Sequence, residues 1–264
     1  MRIGKQDRPF SAISTSTPEV ITVRGKDLCR DVIGKTDFTS YFWLLVTGQE
    51  ATETQRYFAD AVLCAIAEHG LVPSVVAARM TYAAAPEAFQ GAVAAGLLGC
   101  GSVVLGSAEL AGRFIVDCVA AQKENGISVE EAARAGVRAL RAEKKAIPGF
   151  GHPLHAGGDP RANLLLALAR DKETEAEHIS MLYAVREAIP EVLGRSLPIN
   201  VNGAIPAVML DVGYPLQALK GISLLARTAS LIGHLQEESE RPIGFILSGK
   251  AAEAIGYDGE EPAT

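Results

Sequence analysis

The feature that most constrains the fold is a long run of helix-forming sequence that a loop rich in glycine and proline, residues 148–161, interrupts near its middle. From Thr39 onward the sequence predicts one helix after another, and only residues 20–25 are typical of a short strand. The pattern therefore predicts a mainly α fold. The loop carries two histidines, an aspartate and an arginine, which indicates a site more than a spacer, although a polar surface loop is the alternative.

Composition limits the classes of function. Of the 264 residues, 48% are hydrophobic and 21% charged, so the chain can bury a substantial core and is not disordered as a whole. Its net charge of −6 argues against nucleic-acid binding, which requires a basic face. The most apolar run, residues 91–106, is too short and too rich in glycine to span a membrane, and residues 1–18 lack the apolar core of a signal peptide.

The four cysteines, Cys29, Cys64, Cys100 and Cys118, form no CxxC pair and lie in apolar sequence. We interpret them as reduced, buried thiols of a cytoplasmic protein.

Several helix signals are local. Thr52 with Gln55, and Ser128 with Glu131, fit the capping box, and Pro86 fits the first turn of a helix. After Pro86, small residues recur at helical spacing (Ala88, Ala92, Ala95, Gly96 and Gly99). This stripe predicts close packing against another helix, and we expect it to form the contact of a homodimer.

Arg227 is the most informative single residue, because it lies in the apolar helical segment at residues 224–232 with no carboxylate one turn away. A guanidinium cannot be neutralised, and burying it alone is costly. It therefore needs an anion from elsewhere, either a distant Asp or Glu or the carboxylate of a ligand.

The histidines leave further alternatives. His69 follows an apolar helix and either caps its end or belongs to a site, His178 is expected to be solvated, and His234 suits a core or supporting position. The spacing of His69, His152 and His155 matches no common zinc pattern, so we expect no metal. Phosphate-binding and nucleophile-elbow motifs are absent from the sequence. Residue chemistry alone thus indicates a helical protein that binds a small polycarboxylate or similar anion.

As an ordered set, the motifs resemble the citrate synthase superfamily, and within it citryl-CoA lyases and the citrate-cleaving module of ATP-citrate lyase. Four segments carry the resemblance: Glu68-His69-Gly70; residues 148–152 with Asp159-Pro160-Arg161; Asn200-Val201-Asn202-Gly203; and Arg227 with Gly233-His234.

The resemblance implies a citrate synthase-like, two-domain helical homodimer. Residues 1–110 and 200–264 would form the large domain with the dimer interface, and residues 111–199 the small domain with the CoA-binding loop. A CoA thioester would bind as substrate beside Lys144, Lys145, Pro148, Gly149, Phe150 and Gly151. The resemblance assigns His69, His152 and Asn202 to catalysis, and Arg161, Arg227 and Arg241 to the carboxylates, with Arg241 reaching into the partner subunit's site.

The sequence departs from the superfamily pattern at three positions. Val104 stands where citrate synthases have a histidine. The ATP-citrate lyase module also lacks this histidine, so its absence favours the cleavage branch. Asn202 stands where the superfamily has its catalytic aspartate, and an amide cannot shuttle a proton. Pro153 replaces an arginine that many members have.

Three interpretations follow. The first is an enzyme that makes or cleaves a carbon–carbon bond between an acetyl-CoA unit and an oxoacid such as oxaloacetate. The second is a protein that binds a CoA thioester and a polycarboxylate on the same scaffold without turnover, and the third is a structural or interaction protein. The enzyme requires a substitute for the missing aspartate, and the candidates are His152, His155 or a water held by Asn202.

Overall fold

The computed structural model describes residues 10–101, 103, 105–151 and 158–260, and the mainly α-helical fold is confirmed. The helices are α1 (Phe38–Thr47), α2 (Glu53–Ala67), α3 (Pro73–Ala84), α4 (Phe89–Leu98), α5 (Ser107–Asn125), α6 (Val129–Ala142), α7 (Pro160–Asp171), α8 (Glu177–Leu193), α9 (Val201–Asp211), α10 (Leu219–Glu240) and α11 (Gly244–Ala254). A π-helical turn at Leu28–Val32 and a 3-10 turn at Leu216–Ala218 connect neighbouring elements.

A small antiparallel sheet precedes the helices, in the order β1 (Ser14–Ser16), β2 (Ile21–Val23) and β3 (Lys26–Asp27). The predicted strand at residues 20–25 contains β2 and the turn that follows it. Arg24 and Gly25 form this two-residue turn, and both have positive φ, as a tight hairpin requires. The Arg24 guanidinium donates to the Leu45 carbonyl, which holds the hairpin against α1.

Local sequence signals place several helix starts correctly. Both capping boxes form, at Thr52 for α2 and at Ser128 for α6. Pro86 does not open a helix as predicted. Instead the Ala88 N–H bonds to the Ala85 carbonyl, so that Pro86 lies in a turn, where its fixed φ is equally favourable, and α4 begins at Phe89.

Most buried apolar side chains form one continuous cluster, to which α1, α2 and α5 through α10 contribute. Helix α9 is the most enclosed of these, and Ile205 and Met209 on it are fully buried. Helix α10 buries one face only, since Ile232 is exposed. The cluster contains residues from both predicted domains, and the division at 110/111 and 199/200 stays a prediction.

A second cluster joins α3, α4 and α10 through Val75, Ala78, Ala92, Leu231 and Leu235. The small-residue stripe of α4 lies here. A Cβ atom on Gly96 would come within 2.7 Å of Leu231 Cδ1 and 2.8 Å of the Ser74 carbonyl oxygen. Close helix packing along the stripe is thus confirmed, but Ala92 and Gly96 pack inside the same chain. Pairing of the stripe between two copies stays a prediction.

Within the part of the chain that the structure describes, no helix is long and apolar enough to cross a bilayer.

The close approach at Gly96 gives a stability prediction. Gly96→Ala should lower the free energy of unfolding by about 1–3 kcal/mol, because a methyl group there meets a backbone oxygen that cannot move aside cheaply. The matched control is Gly91→Ala on the same helix, where the nearest atom to a Cβ is Ala88 Cβ at 3.5 Å. The control should gain up to about 1 kcal/mol from helix propensity. Urea denaturation measures both, and equal effects would contradict the packing described.

Candidate functional site

The loop that interrupts the helices is fixed to the start of α9 by backbone hydrogen bonds. The Asn200 N–H donates to the Gly149 carbonyl at 3.0 Å, and the Gly151 N–H donates to the Pro198 carbonyl at 2.8 Å. The Asn200 side chain, which also caps α9, donates to the Gly151 carbonyl. Phe150, buried between these bonds, pairs with Ile199 as in an antiparallel ladder. Residues 149–151 and the Asn200 motif therefore form one rigid unit.

Glycines make this contact possible. Gly149 has φ +89°, and a Cβ on it would lie 2.7 Å from Gly203 Cα. A Cβ on Gly203 would lie 2.5 Å from the Gly149 oxygen. Neither position tolerates a side chain without moving the backbone. Each motif thus supplies the glycine that lets the other approach.

Asp159 ties the far end of the loop to the same place. Its side chain is fully buried and caps α7, and it accepts Arg161 Nε and Nη2, both at 3.0 Å, and the Val201 N–H at 2.9 Å. Burial raises the pKa of Asp159, but the hydrogen bonds from Arg161 and Val201 outweigh it and hold the pKa below its ordinary value. Arg161 is therefore oriented by a buried carboxylate, and its Nη1 is not used in this pair.

Asn202 lies in the first turn of α9 and is half-buried. Its backbone N–H donates to Asn200 Oδ1 at 3.0 Å. Among the described residues, the amide of its side chain has no hydrogen-bond partner. The position predicted for catalysis thus presents a free amide next to the rigid loop.

Arg227 lies on the buried face of α10, with only 3% of its surface exposed. Its Nη1 is 3.5 Å from Ser230 Oγ, and its buried Nε has no partner within the described residues. Burial lowers the pKa of this guanidinium, while the charge of Glu68 acts in the opposite direction. An arginine remains charged even so. Of the two alternatives for its anion, a ligand is favoured, because no carboxylate of the described chain bonds to it.

Glu68 lies close to Arg227, at the end of α2. Its carboxylate accepts the backbone N–H groups of His69 and Gly70, the hydroxyl of Ser230, and His234 Nε2 at 3.0 Å. Burial raises the pKa of Glu68, but the hydrogen bonds from Ser230, Gly70 and His234 hold it below the ordinary value. His69 itself is exposed. His234 thus has the supporting position that was one of its two predicted alternatives.

A second arginine, Arg79, is buried between α3 and α10. It pairs with Glu238 at 2.6 Å and with Glu237 at 2.7 Å, and it donates to the Arg241 carbonyl at 3.3 Å. The Arg241 side chain is 79% exposed and lies 3.9 Å from Glu237. Its guanidinium therefore lies at the surface of the chain.

A cavity of about 640 Å³ opens beside the loop. Its walls are Arg141, Ala142, Lys144, Lys145, Ala146, Ile147, Phe150, Leu193, Arg195 and Leu197. Of the predicted CoA-binding residues, Lys144, Lys145 and Phe150 line it, whereas Pro148, Gly149 and Gly151 shape the loop without lining it. Arg141 and Arg195 were missed. Arg195 follows Gly194, which ends α8. A basic residue in this turn, shortly before the Asn200 motif, could have been predicted from the sequence to line the cavity.

Cys100 adjoins Arg227, and Ala111 adjoins the loop at Gly149. Buried Cys100, before α5, is close enough to Arg227 for the guanidinium to oppose the rise in thiol pKa that burial causes. Ala111, on α5, lies under the loop, where a Cβ on Gly149 would come within 3.2 Å of its own Cβ. Val104, His152, Pro153 and His155 lie outside the described residues.

The cysteines, His178 and possible metal ligands were also considered from the sequence. Cys100 and Cys118 are buried as expected, but Cys29 and Cys64 are exposed, so that part of the prediction was wrong. His178 is not solvated; its Nδ1 lies 2.8 Å from buried Asp211. Across residues 10–101, 103, 105–151 and 158–260, no group of three or more His, Cys, Asp or Glu side chains is arranged to hold a metal.

Comparisons with known proteins identify the family. Residues 14–244 match the family described as "Citrate synthase, C-terminal domain". The structure is similar to that of citryl-CoA lyase from Hydrogenobacter thermophilus, with a TM-score of 0.85 and 30% identity over 100% of this chain and 97% of that one. The chain belongs to the citrate synthase family, as the motifs predicted. No curated protein sequence matches the chain.

More distant structures share the fold. ATP citrate lyase from Methanothrix soehngenii, in complex with citrate and coenzyme A, has a TM-score of 0.78 and 24% identity over 98% of this chain and 43% of that chain. Citrate synthase from Thermoplasma acidophilum, in a ternary complex with carboxymethyl coenzyme A and oxaloacetate, has a TM-score of 0.63 and 18% identity over 78% of this chain and 54% of that one. The predicted citrate synthase-like fold is thereby confirmed.

Asp159 gives a prediction for the loop. Because the folded-state pKa is depressed, its contribution to stability is complete above about pH 4 and is lost as pH falls through the folded-state pKa. Asp159→Asn should lower the free energy of unfolding at pH 7 by about 3 kcal/mol, and the difference from wild type should shrink in acid. The control is Asp171→Asn at the exposed end of α7. A constant difference from pH 7 to pH 2 would contradict the role of the carboxylate.

Proposed function

We propose that this protein is an enzyme of the citryl-CoA lyase type. It cleaves the carbon–carbon bond of citryl-CoA, or of a related 3-hydroxy-3-carboxyacyl-CoA, into acetyl-CoA and an oxoacid such as oxaloacetate, or runs the reverse condensation. Family membership and similarity to a citryl-CoA lyase over nearly the whole of both chains support this chemistry. The observation that carries the proposal is the buried guanidinium of Arg227, to which no carboxylate of the described chain bonds directly.

The polycarboxylate binds between Arg227 and Arg161. Arg227 needs an anion, and Arg161 is held in place by Asp159 while its Nη1 stays outside that pair. Charge-assisted hydrogen bonds from two fixed guanidinium groups suit a substrate with several carboxylates. His69 and His152 contact the same moiety. Arg241, exposed on its own chain, completes the site of the partner subunit in a homodimer.

The CoA thioester occupies the cavity beside the loop at residues 148–151. Four cationic side chains line its wall and suit the phosphates of CoA: Arg141, Lys144, Lys145 and Arg195. Buried Phe150 and Ile147 provide apolar surface. The acyl end then extends along the rigid loop towards Asn202. No metal takes part in the proposed mechanism. We place the protein in the cytoplasm, where its four free thiols remain reduced.

Cleavage requires two proton transfers. The C3 hydroxyl loses its proton as the C2–C3 bond breaks, the bonding electrons pass to the thioester as an enolate, and the enolate carbon then gains a proton to give acetyl-CoA. Asn202 has no acid–base capacity, so its amide N–H stabilises the enolate oxygen. Both proton transfers, from the C3 hydroxyl and to the enolate carbon, are assigned to His152, His155 or a water that Asn202 holds.

A second candidate function is a protein that binds a CoA thioester and a polycarboxylate without turnover. The observation in its favour is Asn202, because loss of a positioned acid–base group costs about 10²- to 10⁴-fold in rate. Direct assay of turnover separates the two functions.

Arg227→Ala tests the polycarboxylate site. The substitution should weaken citrate binding at least about 100-fold, because it removes the desolvated guanidinium that pairs with a citrate carboxylate. CoA binding should stay unchanged. Calorimetry with citrate and with CoA measures both. The control is Arg113→Ala, which removes an exposed guanidinium paired with Glu109. Wild-type citrate affinity in Arg227→Ala would contradict the site.

Asn202→Asp tests how the enolate is stabilised. If the amide N–H stabilises the enolate, a carboxylate in its place repels it, and turnover of a panel of 3-hydroxyacyl-CoA thioesters should fall by about 100-fold or more. An increase in cleavage of citryl-CoA would instead mean that Asn202 impairs an ordinary acid–base route. Wild type that binds several thioesters and cleaves none would leave the binding function in place.

A further inference from the structure

The carboxylate of Glu68 accepts four hydrogen bonds, which is as many as its two oxygens can take. Oε1 accepts the N–H groups of His69, at 2.9 Å, and Gly70, and Oε2 accepts the Ser230 hydroxyl and His234 Nε2 at 3.0 Å. Two of the donors belong to the backbone on either side of the His69 side chain. The other two belong to α10, so this carboxylate joins the end of α2 to the helix that carries Arg227.

The tautomer of His234 follows from its second neighbour. His234 Nδ1 faces Arg79 Nη1 at 3.4 Å, and a guanidinium only donates hydrogen bonds. Nδ1 is therefore the acceptor, and the proton of a neutral imidazole lies on Nε2, where it points at Glu68. Arg79 thus sets the direction of the hydrogen bond that His234 gives to Glu68.

Arg79 is itself fixed on its other side. It is 2% exposed and bonds to Glu238, whose carboxylate also accepts the N–H groups of Ile243 and Gly244 at the start of α11. Arg79 also donates to the carbonyl of Arg241. The chain of contacts therefore runs unbroken from the backbone of His69 to the segment that carries Arg241.

The same contacts keep Glu68 from bonding directly to Arg227. Ser230 Oγ lies between them, 3.5 Å from Arg227 Nη1, and gives its proton to Glu68. With four donors already bound, Glu68 has no further capacity for the guanidinium. A carboxylate therefore lies nearby, yet the charge of Arg227 stays available.

We propose that Glu68 is a positioning residue: with its direction set by His234 and Arg79, it fixes the backbone of His69 and leaves Arg227 free to bind a carboxylate of the substrate. The roles of His69 and Arg227 rest on the function proposed above. The fixed backbone and the His234 tautomer do not, so they can be tested separately.

The experiment compares wild type with Glu68→Ala and Glu68→Gln. The control is His178→Ala, because His178 and Asp211 form a similar pair at 2.8 Å, with the same 16% exposure of the histidine side chain, between α8 and α9. Two measurements on each full-length protein report on the structure: amide hydrogen exchange at His69 and Gly70, and the ¹⁵N signals of His234. Two report on function: the affinities for citrate and CoA, and the steady-state constants for citryl-CoA.

Wild type should show His234 as the Nε2–H tautomer and slow exchange at both amides. Glu68→Ala should speed that exchange at least about 10-fold and lower kcat by about 10- to 100-fold, because a misplaced catalytic group costs about that much. CoA affinity should stay within about twofold. In Glu68→Gln, an amide N–H of the new side chain faces the N–H of His234, so the ¹⁵N signals of His234 should shift. Because Gln keeps one acceptor oxygen, kcat should fall less than in Glu68→Ala. His178→Ala should match wild type in every respect.

Two results would overturn the positioning role whatever the activity: an Nδ1–H tautomer of His234 in wild type, or unchanged exchange at His69 and Gly70 in Glu68→Ala. Unchanged kcat in Glu68→Ala would overturn it as well. If wild type neither binds citrate nor cleaves citryl-CoA, the proposed function fails, and the exchange and tautomer results still decide whether Glu68 positions the His69 backbone.

Discussion

The cost of burying a positive charge governs this structure. Arg79 and Arg227 are almost equally buried, at 2% and 3% exposure. Arg227 lies on α10, and Arg79 lies on α3 and packs against α10. Two carboxylates, Glu237 and Glu238, bond to Arg79. Among the described residues, no carboxylate bonds directly to Arg227, although Glu68 lies nearby. The contrast matters because the same helix shows that the protein can satisfy a buried guanidinium where one is structural. The unbonded guanidinium of Arg227 is therefore the main support for the proposed binding site.

Two carboxylates prepare that site in the same way. Asp159 accepts a backbone N–H from α9 and orients Arg161, and Glu68 accepts two backbone N–H groups beside His69 and two side-chain donors from α10. Each fixes a predicted functional residue through backbone that cannot move independently. Such fixed geometry is what a site needs in order to stabilise charge as it develops during a reaction. The Gly149–Gly203 contact extends the same rigidity to residues 149–151, beside the cavity proposed to bind CoA.

Much of this could be predicted from the sequence because the signals are local or belong to a fixed motif order. The capping boxes at Thr52 and Ser128 involve residues three apart, and they formed as predicted. Arg227 is conspicuous because its charge contradicts its apolar surroundings. The ordered motifs gave the family, which the comparisons confirm.

What the sequence could not give depends on distant contacts. Arg79 and Glu238 are 159 residues apart, and nothing near either one indicates the other. His178 was expected to be solvated because its own helix face is polar, but its partner Asp211 comes from α9. The small-residue stripe of α4 predicted close packing without specifying the partner, which proved to be α3 and α10 of the same chain. Pro86 suits a turn as well as a helix start, and only the tertiary fold decides between them.

The most direct test of the central claim is the reaction of wild-type protein with citryl-CoA, followed by simultaneous measurement of acetyl-CoA and oxaloacetate. The proposed function predicts catalytic release of the two products in equal amounts, at a rate well above that of the uncatalysed reaction. Saturable binding of citryl-CoA with neither product released would contradict it, and would show that the citrate synthase fold serves here to bind the thioester and not to cleave it.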